Sequence, residues 1–199
     1  MHESVWGKGD KITLKILKNL EIKGTWLDLA AGDGRYVPEM LDKADKLIVS
    51  DIDKVALNNL LSATPEEKKH KVVSKPFDMT RKFPFEDMSF DGVFCTGALH
   101  LFSEAKLRRV FSEIYRMLKP NGMLIADFAA DIKRVKDGRQ VKDKNSYSTL
   151  DAVLLIKKFT KDYKIKIYKS SFRDDLSAAP KYRWNVKGNF ILFVARKGK

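Results

Sequence analysis

Cysteine is nearly absent from this sequence, and histidine is scarce. Cys95 is the one cysteine, so no intrachain disulfide can form. The three histidines, His2, His70 and His100, lack the spacing of a zinc site. Because stable disulfides belong to oxidising compartments, such a composition gives no sign of secretion. We therefore expect a cytoplasmic protein without a structural metal.

Long hydrophobic runs are missing as well. The longest, residues 190–195, is far shorter than the roughly 20 residues of a membrane span. Residues 1–10 contain no apolar core of a secretory signal. Internal repeats and Pro/Gly/Ser-rich linkers are also absent, while 44% of the residues are hydrophobic and 33% charged. This composition predicts a single domain over residues 1–199 and no membrane partner.

Positive charge is concentrated in the last third of the chain. The formal net charge is +13, and residues 131–199 carry 19 Lys and Arg against 7 Asp and Glu. Residues 1–130 are nearly balanced. Clustered positive charge attracts polyanions, so RNA is one candidate partner. A lysine-rich solvated surface without a ligand is the alternative.

Short apolar runs alternate with amphipathic segments up to residue 128. This order is typical of parallel strands joined by crossover helices. Strands are predicted at residues 25–29, 46–50, 71–74, 90–95 and 123–128, and helices at residues 11–20, 55–61 and 106–118, with another beginning after Gly34.

Beyond Ala130 the pattern changes. An Asp-Gly pair within residues 134–141 indicates a hairpin, and a helix is predicted at residues 150–159. Residues 163–169 alternate between apolar residues and lysine, as a strand with one exposed face does. Residues 190–195 are apolar throughout, which is typical of a strand covered on both faces.

These segments together predict a doubly wound α/β fold. We expect a seven-stranded, mostly parallel sheet with helices on both faces. The last strand, residues 190–195, should run antiparallel beside an edge strand at residues 163–169.

The most informative segment is the loop LDLAAGDGRY at residues 27–36. A strand containing Asp28 is followed by Gly32 and Gly34, and then by a helix. Glycine lets a ligand lie against the backbone, and the helix N-terminus adds unpaired N–H groups. The dinucleotide motif GxGxxG fails here, because its third glycine position is Val37. A cap and a tight turn without a ligand is the alternative.

This loop resembles the (D/E)xGxGxG motif of the class I S-adenosylmethionine-dependent methyltransferases. Ala30 occupies the first glycine position, a departure tolerated in the methyltransferase type 11, or ubiquinone/menaquinone-biosynthesis, type. The resemblance implies a Rossmann-like methyltransferase fold and S-adenosylmethionine as cofactor. It places Asp28, Ala30, Gly32 and Gly34 at the cofactor.

Two further segments resemble cofactor-binding motifs of this family. VSDID at residues 49–53 is similar to the second strand and the acid that holds the ribose hydroxyls. The resemblance implies that role for Asp51, beside Ile52, with Asp53 as the second candidate. Residues 77–91 resemble the family's D-x-x-x-LPF-x-x-x-x-FD stretch, which implies that Asp78 accepts from the adenine amino group and that Met79 packs on the ring.

Two last segments resemble the fourth strand and the turn before the fifth. Residues 90–101 match the strand and loop beside the reactive methyl group, which adds Cys95 to the cofactor residues. His100 is a candidate base on the acceptor side, because imidazole titrates near neutrality. Residues 118–125 resemble L-K-P-G-G-x-L, with Asn121 at the first glycine position.

The resemblance covers about residues 20–130 and implies methyl transfer to an N, O or C atom of an acceptor. The acceptor stays open between a small molecule, in an apolar pocket over residues 97–102, and RNA. In either case residues 131–199 should complete the sheet and face the acceptor. The alternative function is a non-catalytic S-adenosylmethionine-binding protein that activates or scaffolds a partner.

If the acceptor is RNA, the positions of the basic side chains can be predicted. They should line one face near the mouth of the cofactor site, where they can neutralise phosphates. The side chains in question are Lys133, Arg134, Lys136, Arg139, Lys181 and Arg183.

Overall fold

The structure, a computed structural model, describes residues 9–136, 139–141, 145–175 and 184–198. For residues 174, 175 and 184 it describes the backbone alone. The described residues form eight strands: β1 (Thr25–Leu29), β2 (Lys46–Ser50), β3 (Val72–Ser74), β4 (Phe90–Cys95), β5 (Leu118–Lys136), β6 (Arg139–Val141), β7 (Tyr163–Asp175) and β8 (Trp184–Lys197). They also form five α-helices: α1 (Lys11–Asn19), α2 (Val37–Leu41), α3 (Lys54–Ala63), α4 (Glu104–Met117) and α5 (Thr149–Phe159).

All eight strands belong to one sheet. Seven of them follow the order β3-β2-β1-β4-β5-β8-β7, and β6 pairs with β5 outside this order. The first five strands of this order pair in parallel, and β8 runs antiparallel to both β5 and β7. The predicted architecture is confirmed: the apolar strand is inserted antiparallel, and β7 forms the edge. One face of β7 is exposed, as its alternating sequence predicts.

The sheet has one more strand than predicted. The short strand β6 pairs with the end of β5, where Lys136 lies opposite Arg139. The predicted hairpin is therefore present, although its turn at residues 137–138 lies outside the described residues. Strands β5, β7 and β8 are also longer than their apolar runs, and residues 119–122 form an irregularity within β5 instead of a separate turn.

The helices cover both faces of the sheet because each has one apolar side. Helix α4 buries five residues at helical spacing against one face, where α5 joins it. Helices α1, α2 and α3 pack on the other face. Asp10 caps α1 by accepting the backbone N–H groups of Ile12 and Thr13. No helix among the described residues combines the length and the apolar character needed to cross a membrane.

The parallel strands all end at one edge of the sheet. The loops that follow β1, β2 and β4 meet there, and β5 continues past them to Lys136. In doubly wound sheets this carboxyl edge is where ligands bind. The fold thus brings the glycine loop of residues 27–36 next to the ends of β2 and β4.

Candidate functional site

Three carboxylates lie along the carboxyl edge of the sheet. Asp28 is in β1, Asp51 directly follows β2, and Asp127 is in β5. In register, Asp28 lies opposite Phe94, and Phe94 lies opposite Ile125, two residues before Asp127. Because side chains alternate along a strand, Asp28 and Asp127 project from the same face of the sheet. Both are nearly buried, with 3% and 1% of their surface exposed.

Asp51 connects the end of β2 to the glycine loop. Its Oδ2 accepts the backbone N–H of Gly32 at 2.9 Å, and its Oδ1 accepts that of Asp53 at 2.9 Å. The Asp53 carboxylate is engaged elsewhere, because it caps α3 through the N–H groups of Val55 and Ala56. Of the two acids in this segment, Asp51 is therefore the one that faces the loop.

The loop turns through left-handed backbone conformations. The φ angles are +61° at Ala30, +55° at Gly32 and +87° at Gly34, a region that favours glycine. A Cβ on Gly34 would lie 2.7 Å from Cγ of Leu60, so this glycine is needed for packing. Among the described residues other than its chain neighbours, nothing lies within 4 Å of a Cβ built on Gly32. The loop is therefore packed on its Gly34 side and open on its Gly32 side.

Asp28 is a buried acid that accepts no hydrogen bond from the described part of the chain. Among the residues described, none donates a hydrogen bond to its carboxylate, and burial, with a smaller contribution from Asp51, raises its pKa to about 8. Burial also raises the pKa of Asp127 to about 7, although Gly97 N–H donates to its Oδ1 at 2.8 Å and Arg35 opposes the shift. The edge thus holds two acids that titrate near neutral pH.

The ligand-free protein should lose stability as the pH rises from 6 to 9, because of Asp28. Its folded-state pKa of about 8 lies above that of an unfolded aspartate, so the folded protein keeps a proton that the unfolded chain releases. This stabilisation is full below the unfolded pKa and is lost as the pH rises through the folded one. In Asp28→Asn the effect disappears.

Urea unfolding of both proteins at pH 6 and pH 9 measures this effect. Between the two pH values, the difference in unfolding free energy should shift in favour of Asp28→Asn by about 1.4 kcal/mol or more, the free energy of one pKa unit. An equal pH dependence of the two proteins would show that Asp28 titrates like an unfolded aspartate.

Asp127 is a site residue that the sequence analysis missed. The signal was present, because MLIADF is an apolar strand that reaches an acid, as TWLDL and KLIVSD do. The family resemblance offered no motif for this position. The Asp127 carboxylate fixes the backbone at Gly97, where the φ angle is +72° and a Cβ would again meet nothing within 4 Å.

The remaining predicted residues are arranged around this edge in different ways. Asp78 follows β3, and its Oδ1 accepts both the N–H and the hydroxyl of Thr80, at 2.8 and 2.7 Å. These bonds hold the pKa of Asp78 below its usual range. Met79 is buried in the core beneath it, and Ile52 is exposed.

Cys95 and His100 differ in their surroundings. Cys95 is fully buried, and burial raises the pKa of its thiol, with added contributions from the charges of Asp127, Asp28 and Asp51. Cys95 is therefore a core packing residue at the end of β4, and its thiol is unreactive. His100 is half-buried in a short 3-10 turn, Leu99–Leu101.

The turn around His100 is attached to the segment before α5. The Tyr147 hydroxyl donates to the carbonyl of Phe102 at 2.7 Å, and the Asn145 amide donates to that of Leu101 at 2.6 Å. Within the described ranges, no group of His, Cys, Asp and Glu side chains is placed to hold a metal ion. The candidate site at this edge therefore consists of backbone turns and carboxylate side chains.

Comparison with known proteins agrees with this geometry. The family described as "Methyltransferase domain" matches residues 27–126, half of the chain. The chain belongs to this family. The chain is 33% identical to an uncharacterized methyltransferase of Schizosaccharomyces pombe over 100 residues, which are 50% of this chain and 37% of the relative. The match thus spans little more than a third of that relative's length.

Solved structures share the fold of this methyltransferase. A SAM-dependent methyltransferase from Methanosarcina mazei is 16% identical with a TM-score of 0.68, and the match covers 93% of this chain and 98% of that chain. The structure of DhpI in complex with SAH is 18% identical with a TM-score of 0.63, covering 93% and 82%. The class I methyltransferase resemblance and the Rossmann-like fold are confirmed.

The residues at the edge fit S-adenosylmethionine, the cofactor of this family. The open backbone at Gly32 leaves room for a ligand, and the buried Asp28 carboxylate lacks a donor among the described residues. Asp51 supplies a further carboxylate, which is hydrogen-bonded to the backbone of Gly32. The comparisons lend no support to the non-catalytic alternative.

Proposed function

We propose that this methyltransferase transfers the methyl group of S-adenosylmethionine to an RNA acceptor. The observation that carries the proposal is the carboxyl edge: an open glycine backbone between Asp28 and Asp51, beside a β5 strand that continues into a basic extension. The whole of residues 1–199 acts as one domain in this proposal, and the protein works in the cytoplasm. Residues 131–199 face the acceptor.

The cofactor would be held by groups of distinct chemistry. The Asp51 carboxylate accepts the two ribose hydroxyls, and the Asp28 carboxylate accepts from the amino group of the methionine half. Gly32, with Ala30 and Gly34 shaping the loop around it, lets the ligand approach the backbone. Asp78 and Met79 take the adenine, as the family motif implies, Ile52 lies beside Asp51, and Cys95 supports the site from the core.

The cofactor's sulfonium supplies a methyl group on a good leaving group, so the protein mainly has to align acceptor, methyl and sulfur. Asp127 contributes to this alignment by fixing the backbone of Gly97 beside the end of β4. His100 as an acceptor-side base stays a prediction, because alignment alone can suffice.

RNA is the acceptor that the charge distribution favours. Strands β5, β8 and β7 extend past the carboxyl edge, and the described part of this extension contains six basic residues against three acidic ones. Of the basic residues in the sequence prediction, Lys133 lies on one face of β5, and Arg134 and Lys136 lie on the other, since strand residues alternate. The single basic face expected from the sequence is therefore divided between two faces, and Lys181 and Arg183 lie outside the described residues.

Incubation with S-adenosylmethionine labelled in its methyl group tests the proposal. The purified protein is given separate pools of unmodified RNA, protein and small metabolites, and Asp51→Ala serves as the control that lacks the ribose acceptor. Label should enter the RNA pool with the parent protein and fall to background with the variant. If label entered only the metabolite pool, the RNA proposal would be wrong, and the acceptor would be a small molecule bound over residues 97–102.

A further inference from the structure

Three cations lie directly opposite one another on three neighbouring strands. Lys133 of β5 is paired in register with Lys187 of β8, and Lys187 is paired with Arg173 of β7. Residues opposite each other in a sheet project from the same face, and neighbouring strands are about 4.8 Å apart. All three side chains are exposed. We call these residues the cation row.

A β-bulge creates this alignment. Between Ala130 and Lys133 the register of β5 shifts against β8 by one residue, and Asp131 within the bulge has a φ angle of +50°. An unbroken register from Ala130 would place Ile132, and not Lys133, opposite Lys187. Bulges re-aim side chains, and here the bulge places a lysine beside a lysine.

The row lacks the partners that would make it a stabilising feature. Like charges directly opposite in a sheet are destabilising. Among side chains that the structure describes, no carboxylate forms an ion pair with Lys133, Arg173 or Lys187. Asp131, which lies two residues before Lys133, makes its hydrogen bonds elsewhere: its Oδ2 accepts from the Thr149 hydroxyl at 2.7 Å and from the Asn189 amide at 3.0 Å. The charge of Lys133 makes only a small contribution to the lowered pKa of Asp131.

The row opens into a cavity of about 340 Å³. Ser171 and Asn189, which are paired in register, add a hydroxyl and an amide to its lining. The face concerned is the one that α4 and α5 cover further along the sheet, because Ile191 and Phe193 of β8 belong to that core. Three cations against one carboxylate leave an excess of two positive charges around the cavity.

The position of the row relative to the edge favours a long ligand. Lys133 follows Asp127 by six residues, which is roughly 20 Å along a strand. An acceptor that reaches from the end of β4 to the row has to span this distance. A nucleic-acid strand does so, with a phosphate at every nucleotide, whereas a single phosphorylated metabolite does not.

We propose that the cation row binds phosphodiester groups of the RNA acceptor, several nucleotides away from the modified one. This inference rests on the proposed function, because the RNA is the substrate named there. The anion supplies the negative charge that three facing cations lack, and its phosphate oxygens can also accept from the Ser171 hydroxyl.

Fluorescence anisotropy with a labelled 20-nucleotide oligouridylate, at several KCl concentrations, tests the row. The variant Lys133→Gln/Arg173→Gln/Lys187→Gln removes three cations, and each phosphate contact on a single strand contributes about 0.7 to the log–log salt slope. The slope should therefore flatten by about 2, and affinity at 100 mM KCl should fall by roughly tenfold or more. The melting temperature should be equal to or above that of the parent, since repulsion has been removed.

A second variant controls for total charge. Lys161, Lys164 and Lys166 are exposed; Lys161 precedes β7, and Lys164 and Lys166 lie on the face of β7 opposite to that of Arg173. Replacing these three by Gln changes the net charge by the same amount. If the row is specific, this control keeps the affinity of the parent within about threefold. If both variants lost affinity for the oligouridylate equally, the inference would be overturned, and binding would depend on the overall positive charge of the surface.

Further readouts separate the row from the proposed function. If the parent methylates RNA and the row variant binds and methylates it equally well, the proposed role of the cation row is wrong, and the proposed function is supported. If the parent binds oligouridylate through the row but methylates no RNA, the function is wrong and the row stands. Stabilisation of the parent by pyrophosphate without any binding of RNA would assign the cavity to a small phosphate and overturn the inference.

Discussion

Replacing Gly32 by alanine should weaken the binding of S-adenosylhomocysteine by roughly tenfold or more, which is about 1.4 kcal/mol. The cost to stability should be only about 1 kcal/mol, the strain of a Cβ at a φ angle of +55°. Apart from its chain neighbours, no described residue has an atom within 4 Å of the added methyl group, so a ligand against this backbone is what it would displace. Calorimetric titration and urea unfolding measure the two effects separately.

Gly34→Ala is the matched control two residues away. Its Cβ would lie 2.7 Å from Leu60 Cγ, and the φ angle of +87° adds backbone strain, so the unfolding free energy should fall by about 2–4 kcal/mol. Cofactor affinity, measured where the variant is still folded, should fall less than in Gly32→Ala. The reverse ranking of the two variants would mean that Gly34 and not Gly32 faces the ligand.

The strands in the middle of the sheet were predictable from sequence because burial fixes them. Strands β1, β2 and β4 have the predicted boundaries, residue for residue. Each is an apolar run covered on both faces, and such runs end where the chain reaches the edge of the sheet. The cofactor loop was predictable for a related reason, since its glycines and acid follow directly from the strand end.

The extension beyond the core could not be predicted in the same way. Residues 129–136 form neither a continuous apolar run nor a regular alternation of apolar and polar residues, and nothing within them shows that β5 continues. Their pairing with β8 depends on residues some 50 positions away, and the bulge at Asp131 shifts the register within that pairing. The opposition of Lys133 and Lys187 is therefore a property of the tertiary structure alone.

The site showed the same division between local pattern and tertiary contact. The place of Asp51 at the cofactor was implied by the family resemblance, but its hydrogen bond to Gly32 N–H required the folded loop. Asp127 was visible as an acid in a strand, yet its link to Gly97 joins two segments 30 residues apart. A single sequence does not show which loop an acid will support.

Asp51→Ala should lower the affinity for S-adenosylhomocysteine by about 10- to 150-fold, or about 1.5–3 kcal/mol, the range for hydrogen bonds to a charged group. The variant removes the carboxylate that would accept both ribose hydroxyls. It also removes the acceptor of the Gly32 N–H, so the loop loses its attachment to β2. Asp53→Ala is the matched control, because that carboxylate caps α3 and faces away from the loop.

Calorimetric titration of S-adenosylhomocysteine into the parent, Asp51→Ala and Asp53→Ala tests the cofactor site most directly. The parent should bind one molecule per chain, Asp51→Ala should show the loss given above, and Asp53→Ala should keep the parent's affinity while losing about 1 kcal/mol of stability as a helix cap. Equal affinity of the parent and Asp51→Ala would contradict the placement of the cofactor at this edge.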